Sequence, residues 1–247
     1  MKKNLARVFC LVGFLLSIII ILVLNIQTSY LQGINYEIRK VKIPLYLKLL
    51  DFFSRDSHYK VLTREIIKGC SGDKEKAMRL LEWTHNNIKK NVEGLPVVDD
   101  HAWHIIVRGY GEDDQFNDVF STLCNYAGME AFFTWIDSAK KDRKLPLSFV
   151  KIKGEWSVFD SFRGVYFSKK NSSEPANIEM IKSGIYSISG IAGVDPNTLD
   201  YAPYIINVPL VKDMAVGRSN VQSPFRRLFC EIKKLNIVCA DKGDKFK

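Results

Sequence analysis

Two imidazoles and several carboxylates lie close together in the middle of the chain. Asp99-Asp100-His101-Ala-Trp-His104 is followed, after a glycine turn at Gly109-Tyr-Gly111, by Asp113-Asp114-Gln115. His101 and His104 are three residues apart, which puts them on one face if the segment is helical. Together with Asp113 they could ligate a divalent metal such as zinc, manganese or iron. Without a metal, the same residues could act as an acid/base pair. The simplest assignment is that Asp99 or Asp100 caps a short helix and the histidines make ordinary hydrogen bonds. No other cofactor is indicated. The five cysteines are scattered without a C-x-x-C, which argues against a structural zinc site.

The element that must position these groups is the helix that starts at Asp113. Phe116, Val119, Phe120, Leu123, Cys124 and Ala127 recur at helical spacing, which predicts one buried face. Gly128 is expected to stop the helix. Asp113 and Asp114 fall in its first turn, where free N–H groups and the helix dipole favour negative charge. Asp113 is therefore expected to be an easily ionised carboxylate rather than a raised-pKa acid. Asp114 and Gln115 could bind a polar ligand there or serve as a capping cluster. Trp103 and Trp156 could wall a cleft for a peptide or sugar, or act as core anchors.

Around this centre the chain falls into four stretches. Residues 1–30 begin with Lys2, Lys3 and Arg7, followed by an uncharged run from Val8 to Leu24. With Ile26 that run approaches the roughly 20 residues needed to cross a bilayer, and no small-x-small cleavage site follows. An uncleaved transmembrane signal anchor is expected. Its basic flank would keep the N-terminus cytoplasmic and the globular domain extracytoplasmic, with the membrane as a partner. Residues 31–60 form a juxtamembrane segment that includes a short helix near Ile43–Leu50. Residues 61–170 hold the core. Val61–Cys70 ends one helix, and Ser71 caps a second whose buried face is Ala77, Leu80, Leu81, Thr84 and Ile88. A loop follows over 93–100. Ala131–Ile136, Ser148–Lys153, Trp156–Asp160 and Val165–Phe167 read as antiparallel strands, with a polar loop at Asn171–Glu174. Residues 171–247 are poorly patterned, apart from a basic helix expected at Pro224–Leu235.

The sequence of 247 residues has 36 basic and 27 acidic residues and a net charge of +9. Apart from the helix expected at Pro224–Leu235 it contains no basic helix, and it has no aromatic–basic module, so nucleic acid is not an expected partner. Cys230 and Cys239 could pair in an oxidising compartment, and a Cys70–Cys124 bridge is a weaker alternative.

Three phrases in order resemble the transglutaminase-like superfamily, whose fold is papain-like and α+β. Lys76-Ala-Met-Arg-Leu-Leu-Glu-Trp-Thr-His-Asn-Asn-Ile88 is similar to the family's first core helix. Gly111-x-Asp113…Phe120-x-x-Leu123…Gly128 is similar to Gly-x-Cys…Phe-x-x-Leu…Gly. Lys151-Ile-Lys-Gly-Glu-Trp-Ser-Val-Phe-Asp160 is similar to the strand pair that carries the family's aspartate. The resemblance implies a thiolate at a helix N-terminus, a strand histidine as base, and an aspartate that orients the base. This chain departs from that pattern. The cysteine position holds Asp113. The histidine is expected near Leu145, and Leu145-Pro-Leu-Ser-Phe149 contains none. Asp160 stands in the aspartate position. Asp113, Asp160 and the neighbouring His104 are the residual catalytic candidates. Cys124 lies roughly 16 Å farther along the helix among apolar residues. A slipped alignment would pair it with His85 or His104.

The expected function is therefore a membrane-anchored, transglutaminase-like binding or scaffolding module without thiol catalysis. Its ligand would be a peptide, a glycan or an envelope protein. The alternative is a hydrolase that uses the Asp/His set in the same cleft, with or without a metal.

Overall fold

The computed structural model describes residues 2–34, 37–94 and 101–211. The chain divides into two compact units, Met1–Arg55 and Asp56–Lys247.

The first unit opens with helix α1 (Lys2–Leu24). A hairpin of β1 (Gln27–Ile34) and β2 (Glu37–Pro44) follows, and then the first half of α2 (Leu45–Ile66). The expected transmembrane anchor is corrected here. Among the described residues, no helix is long and apolar enough to cross a membrane. The physical reason lies at both ends of α1. Basic residues occupy its start, and it stops at Leu24, so Ile26 lies beyond it. The uncharged run from Val8 to Leu24 is 17 residues, at the lower end of the roughly 17–25 that a span takes. The membrane partner and the cytoplasmic/extracytoplasmic topology rested on that anchor and fall with it. Of the expected short helix at Ile43–Leu50, residues from Leu45 on lie in α2, while Ile43 and Pro44 end β2; of the helix end at Val61–Cys70, α2 holds Val61–Ile66.

The second unit is α+β. Helix α3 (Asp73–Asn87) buries Ala77, Leu80, Leu81 and Thr84, the face expected from spacing. Its N-cap is Gly72, not Ser71. Ser71 instead donates its N–H and hydroxyl to the Glu75 carboxylate at 2.7 and 3.0 Å, which holds that carboxyl below its usual range. A two-residue strand β3 (Lys89–Lys90) pairs in parallel with β4 (Tyr110–Gly111), and α4 (Ala102–Arg108) lies between them in sequence. Helix α5 (Asp113–Tyr126) is the buried central helix. Gly128, at φ +87°, turns the chain after it, and the Met129 N–H closes the turn onto the Cys124 carbonyl at 3.0 Å.

Five antiparallel strands follow in the order β5 (Ala131–Asp137), β6 (Lys144–Ile152), β7 (Glu155–Asp160), β8 (Val165–Ser168) and β9 (Ser187–Gly190). Alternation divides their side chains between two cores. Ala131, Val150, Ile152, Phe159 and Tyr166 face α3, α4 and α5. Phe132, Leu145, Leu147, Phe149, Val158, Val165 and Phe167 face the opposite layer. That layer is built from α6 (Ile178–Lys182), Tyr201, α7 (Ala202–Ile205) and Val208. Covered on both faces, β6 reads as a nearly unbroken apolar run. Strand β6 starts four residues earlier than its alternation suggests, because it runs through Pro146. That residue lies past the last β6–β7 pair, Ser148↔Phe159, so its missing N–H costs no ladder bond.

Candidate functional site

The start of α5 is held by a reciprocal cap. Glu112 is the N-cap. Its side chain accepts from the Gln115 N–H, and the Gln115 side chain returns the bond to the Glu112 N–H at 3.1 Å. Gln115 is therefore a buried capping residue. Gly111 is closely approached: a Cβ there would stand 3.2 Å from Gln115 Cβ and 3.3 Å from Ile105 Cγ2, so those side chains would have to give way.

Asp113 is half-buried and accepts the Asp114 N–H on Oδ1 at 2.8 Å. Burial raises its pKa. The Asp114 N–H and Arg163 act against that shift, while Asp114 and Asp160 add to it. The expectation of an easily ionised carboxylate is corrected. The capped helix start lies against the sheet, and lost hydration outweighs the helix dipole.

Asn117 ties this helix start to β6. Its Nδ2 donates to the carbonyls of Asp113 (2.8 Å) and Pro146 (3.2 Å), and its Oδ1 accepts from Ser148 Oγ at 2.7 Å. The β6 residues beside the start of α5 are thus Pro146 and Ser148, and neither side chain is a base. Leu145 packs in the opposite core.

Asp160 has no exposed surface. Its Oδ1 accepts the backbone N–H of Arg163 at 3.1 Å. Its Oδ2 accepts Arg163 Nη1 and the Tyr201 hydroxyl, each at 2.8 Å. Burial and the adjacent carboxylate push the Tyr201 phenol far above its usual range, so it remains a donor. Burial alone would lower the Arg163 guanidinium, but the Asp160 contact outweighs it and leaves Arg163 above its ordinary value. The turn bearing Arg163 is anchored from α3: His85 Nδ1 lies 3.0 Å from the Phe162 carbonyl. Gly164, at φ +65°, fits beneath the same ring, where a Cβ would lie 3.0 Å from His85 Cγ.

Asp113, Asp160 and Arg163 are thus electrostatically coupled. The other candidates are placed elsewhere or used differently. His101 precedes α4 as its N-cap, and its ring lies edge-on to His104 at 5.8 Å. No group of three or more His, Cys, Asp or Glu residues suited to a metal occurs among the described residues, so His101, His104 and Asp113 do not assemble into the expected ligand set. Trp103 stacks on His58 and meets Tyr59 edge-on, in the helix-side core. Trp156 packs on Phe132, against the opposite core. The two tryptophans lie on opposite faces of the sheet and do not wall one cleft.

Cys124 is fully buried, and burial pushes its thiol well above the usual range. His85 is committed to the Phe162 turn, so neither a Cys124–His85 pair nor a Cys70–Cys124 bridge is present, and both cysteines are free. Asp99, Asp100, Cys230, Cys239 and the helix expected at Pro224–Leu235 lie outside the described residues. A concavity of about 480 Å³, lined by Lys68, Cys70, Glu75, Arg79 and Ile191 among others, shares no residue with the Asp113–Asp160 cluster.

Arg163, Tyr201, Asn117 and Ser148 went unrecognised in the sequence. Arg163 carried a faint signal, three residues after Asp160 and just before a turn glycine. Tyr201 carried none.

The sequence pattern of the transglutaminase-like superfamily matches residues 60–160 of the chain. Three solved structures are similar to it. A candidate cysteine protease from Cytophaga hutchinsonii is 16% identical with a TM-score of 0.38, over 58% of this chain and 52% of that one. A candidate protease from Parabacteroides distasonis is 11% identical with a TM-score of 0.36, over 66% and 38%. A TGase is 10% identical with a TM-score of 0.35, over 70% and 48%. The chain spans about half or less of the length of these structures. No curated protein matches the chain.

Proposed function

We propose that this chain is a transglutaminase-like binding domain that does not perform thiol acyl transfer. In this reading Asp113 stands where the family keeps its cysteine, and Asp160 stands where the family keeps its orienting aspartate. The observation that carries the reading is the commitment of Asp160. Both of its oxygens are engaged, by the Arg163 N–H, Arg163 Nη1 and the Tyr201 hydroxyl, and none of these donors is an imidazole. The β6 residues beside the helix start are Pro146 and Ser148, and the Ser148 hydroxyl already donates to Asn117. Nucleophile, base and orienting contact are therefore replaced together, by groups that satisfy one another. A half-buried carboxylate with a raised pKa, close to a guanidinium, is suited to holding a polar group of a ligand.

The test restores the nucleophile alone. Asp113→Cys is expected to fold and to show no amine incorporation into a glutaminyl peptide and no peptide hydrolysis above the wild-type level. Turnover by this variant would mean that a working base and orienting group remain, and would overturn the reading.

A further inference from the structure

We propose that the free edge of β5 binds an extended peptide, which adds as a sixth strand beside Phe133 and Trp135, next to the start of α5. This names the ligand of the binding domain proposed above and rests on that reading. Strand β5 is an outer strand of the sheet, paired to β6 alone. Its two ends are covered by asparagine side chains. Asn125 exchanges bonds with the Ala131 carbonyl (2.7 Å) and N–H (3.4 Å). Asn207 donates to the carbonyls of Asp137 (2.9 Å) and Ser138 (3.0 Å).

These contacts fix the polarity of the edge. Alternate residues of a strand direct their backbone groups to the same side, so Ala131, Phe133, Trp135 and Asp137 point outward. The two end residues are capped. Among the described residues, nothing is bonded to the outward N–H and C=O groups of Phe133 and Trp135. An unpaired edge of this kind is a template for another strand.

The side chains place this window beside the candidate site. Ala131 packs in the helix-side core, so Phe133 and Trp135 share the face that looks toward α5. Trp135 is 44% exposed, an unusual exposure for a tryptophan and typical of binding hot spots. It lies in register with Pro146, whose carbonyl accepts from Asn117 in the first turns of α5. The complementary ligand is an extended peptide with alternating apolar residues. A second copy of this chain fits less well. Twofold pairing of β5 about Thr134 would set Ala131 opposite the partner's Asp137, and the Asn125 and Asn207 caps would meet across the ladder.

The experiment selects random eight-residue peptides displayed on phage against the full chain. The recovered sequences are then measured on wild type, Trp135→Ala and Trp135→Pro. The Trp135 N–H points outward, so proline there leaves the β5–β6 ladder intact. Affinity is expected to fall about tenfold in each variant. In wild type, exchange of the Phe133 and Trp135 amides should slow about tenfold when peptide binds, a readout that does not depend on how a variant folds. Recovery of no peptide, or unchanged amide exchange, overturns the proposal. So does a dimer abolished by Trp135→Pro, which would assign the edge to a second copy. Peptides that bind independently of Trp135 overturn the edge but leave a binding domain standing. Turnover by Asp113→Cys removes the pseudoenzyme reading and leaves the edge measurement unaffected.

Discussion

Asp160→Asn is expected to destabilise the second unit by about 3 kcal/mol and to lower its melting temperature by about 10 °C. Asparagine keeps the size of the side chain but removes its charge. In either orientation its NH2 group faces a donor, the Arg163 N–H at the Oδ1 position or Arg163 Nη1 and the Tyr201 hydroxyl at the Oδ2 position. The Asp160 side chain is wholly buried, whereas that of Arg163 is 22% exposed. An unpaired Arg163 can therefore recover part of its hydration, which places the loss at the lower end of the range for a broken buried pair. The Tyr201 hydroxyl has no such recourse, because Tyr201 is among the largest fully buried side chains. Urea melts of the variant and wild type, compared at equal slope, measure the change. A loss under about 1 kcal/mol would mean that the cluster behaves as a surface ion pair and does not lock the aspartate.

Asn117→Leu is expected to cost about 3 kcal/mol, because it removes three side-chain bonds worth about 1 kcal/mol each and leaves the buried Pro146 carbonyl without a partner. Leucine is close in size, so the effect is not one of volume. The Asp113 carbonyl, the Pro146 carbonyl and Ser148 Oγ would each lose a bond to Asn117. Ser148 Oγ keeps only its longer bond to the Asn117 backbone carbonyl, at 3.3 Å. The same change releases the start of α5 from β6. Amide exchange at Asp114 and Gln115 is therefore expected to rise along with the loss of global stability. A variant as stable as wild type would show that Asn117 does not join helix and sheet.

The parts legible in the sequence were those with a period. Helix α5, the buried face of α3 and four of the five strands of the sheet follow from apolar spacing. Gly128 ended its helix for the reason its sequence position implied. The second core was not legible, because its covering layer is assembled from short pieces. Ile178 and Ile181, Tyr201, Tyr204, Ile205 and Val208 lie in a region rich in glycine, serine and proline, too short in each segment to show a period. The real partners of Asp160 were hidden for the same reason, since Tyr201 is 41 residues away in sequence. Proximity in sequence also misled. His101 and His104 precede Asp113 closely, yet α4 ends at the left-handed Gly109 and the three do not form a metal-binding group. The apolar count over 1–30 ran past the end of α1 at Leu24, so Ile26 adds nothing to that helix. Asp113 shows the limit of a local rule: the helix dipole favours its charge, but burial against the sheet disfavours it more.

Turnover by the wild-type chain tests the central claim most directly. The purified protein is incubated with a glutaminyl peptide and a primary amine, and separately with a peptide substrate, before and after treatment with iodoacetamide. The expected result is no amine incorporation and no cleavage that alkylation abolishes. Turnover that iodoacetamide removes would contradict the account, since it would require a reactive thiol that the buried Cys124 and the commitments of Asp160 do not provide.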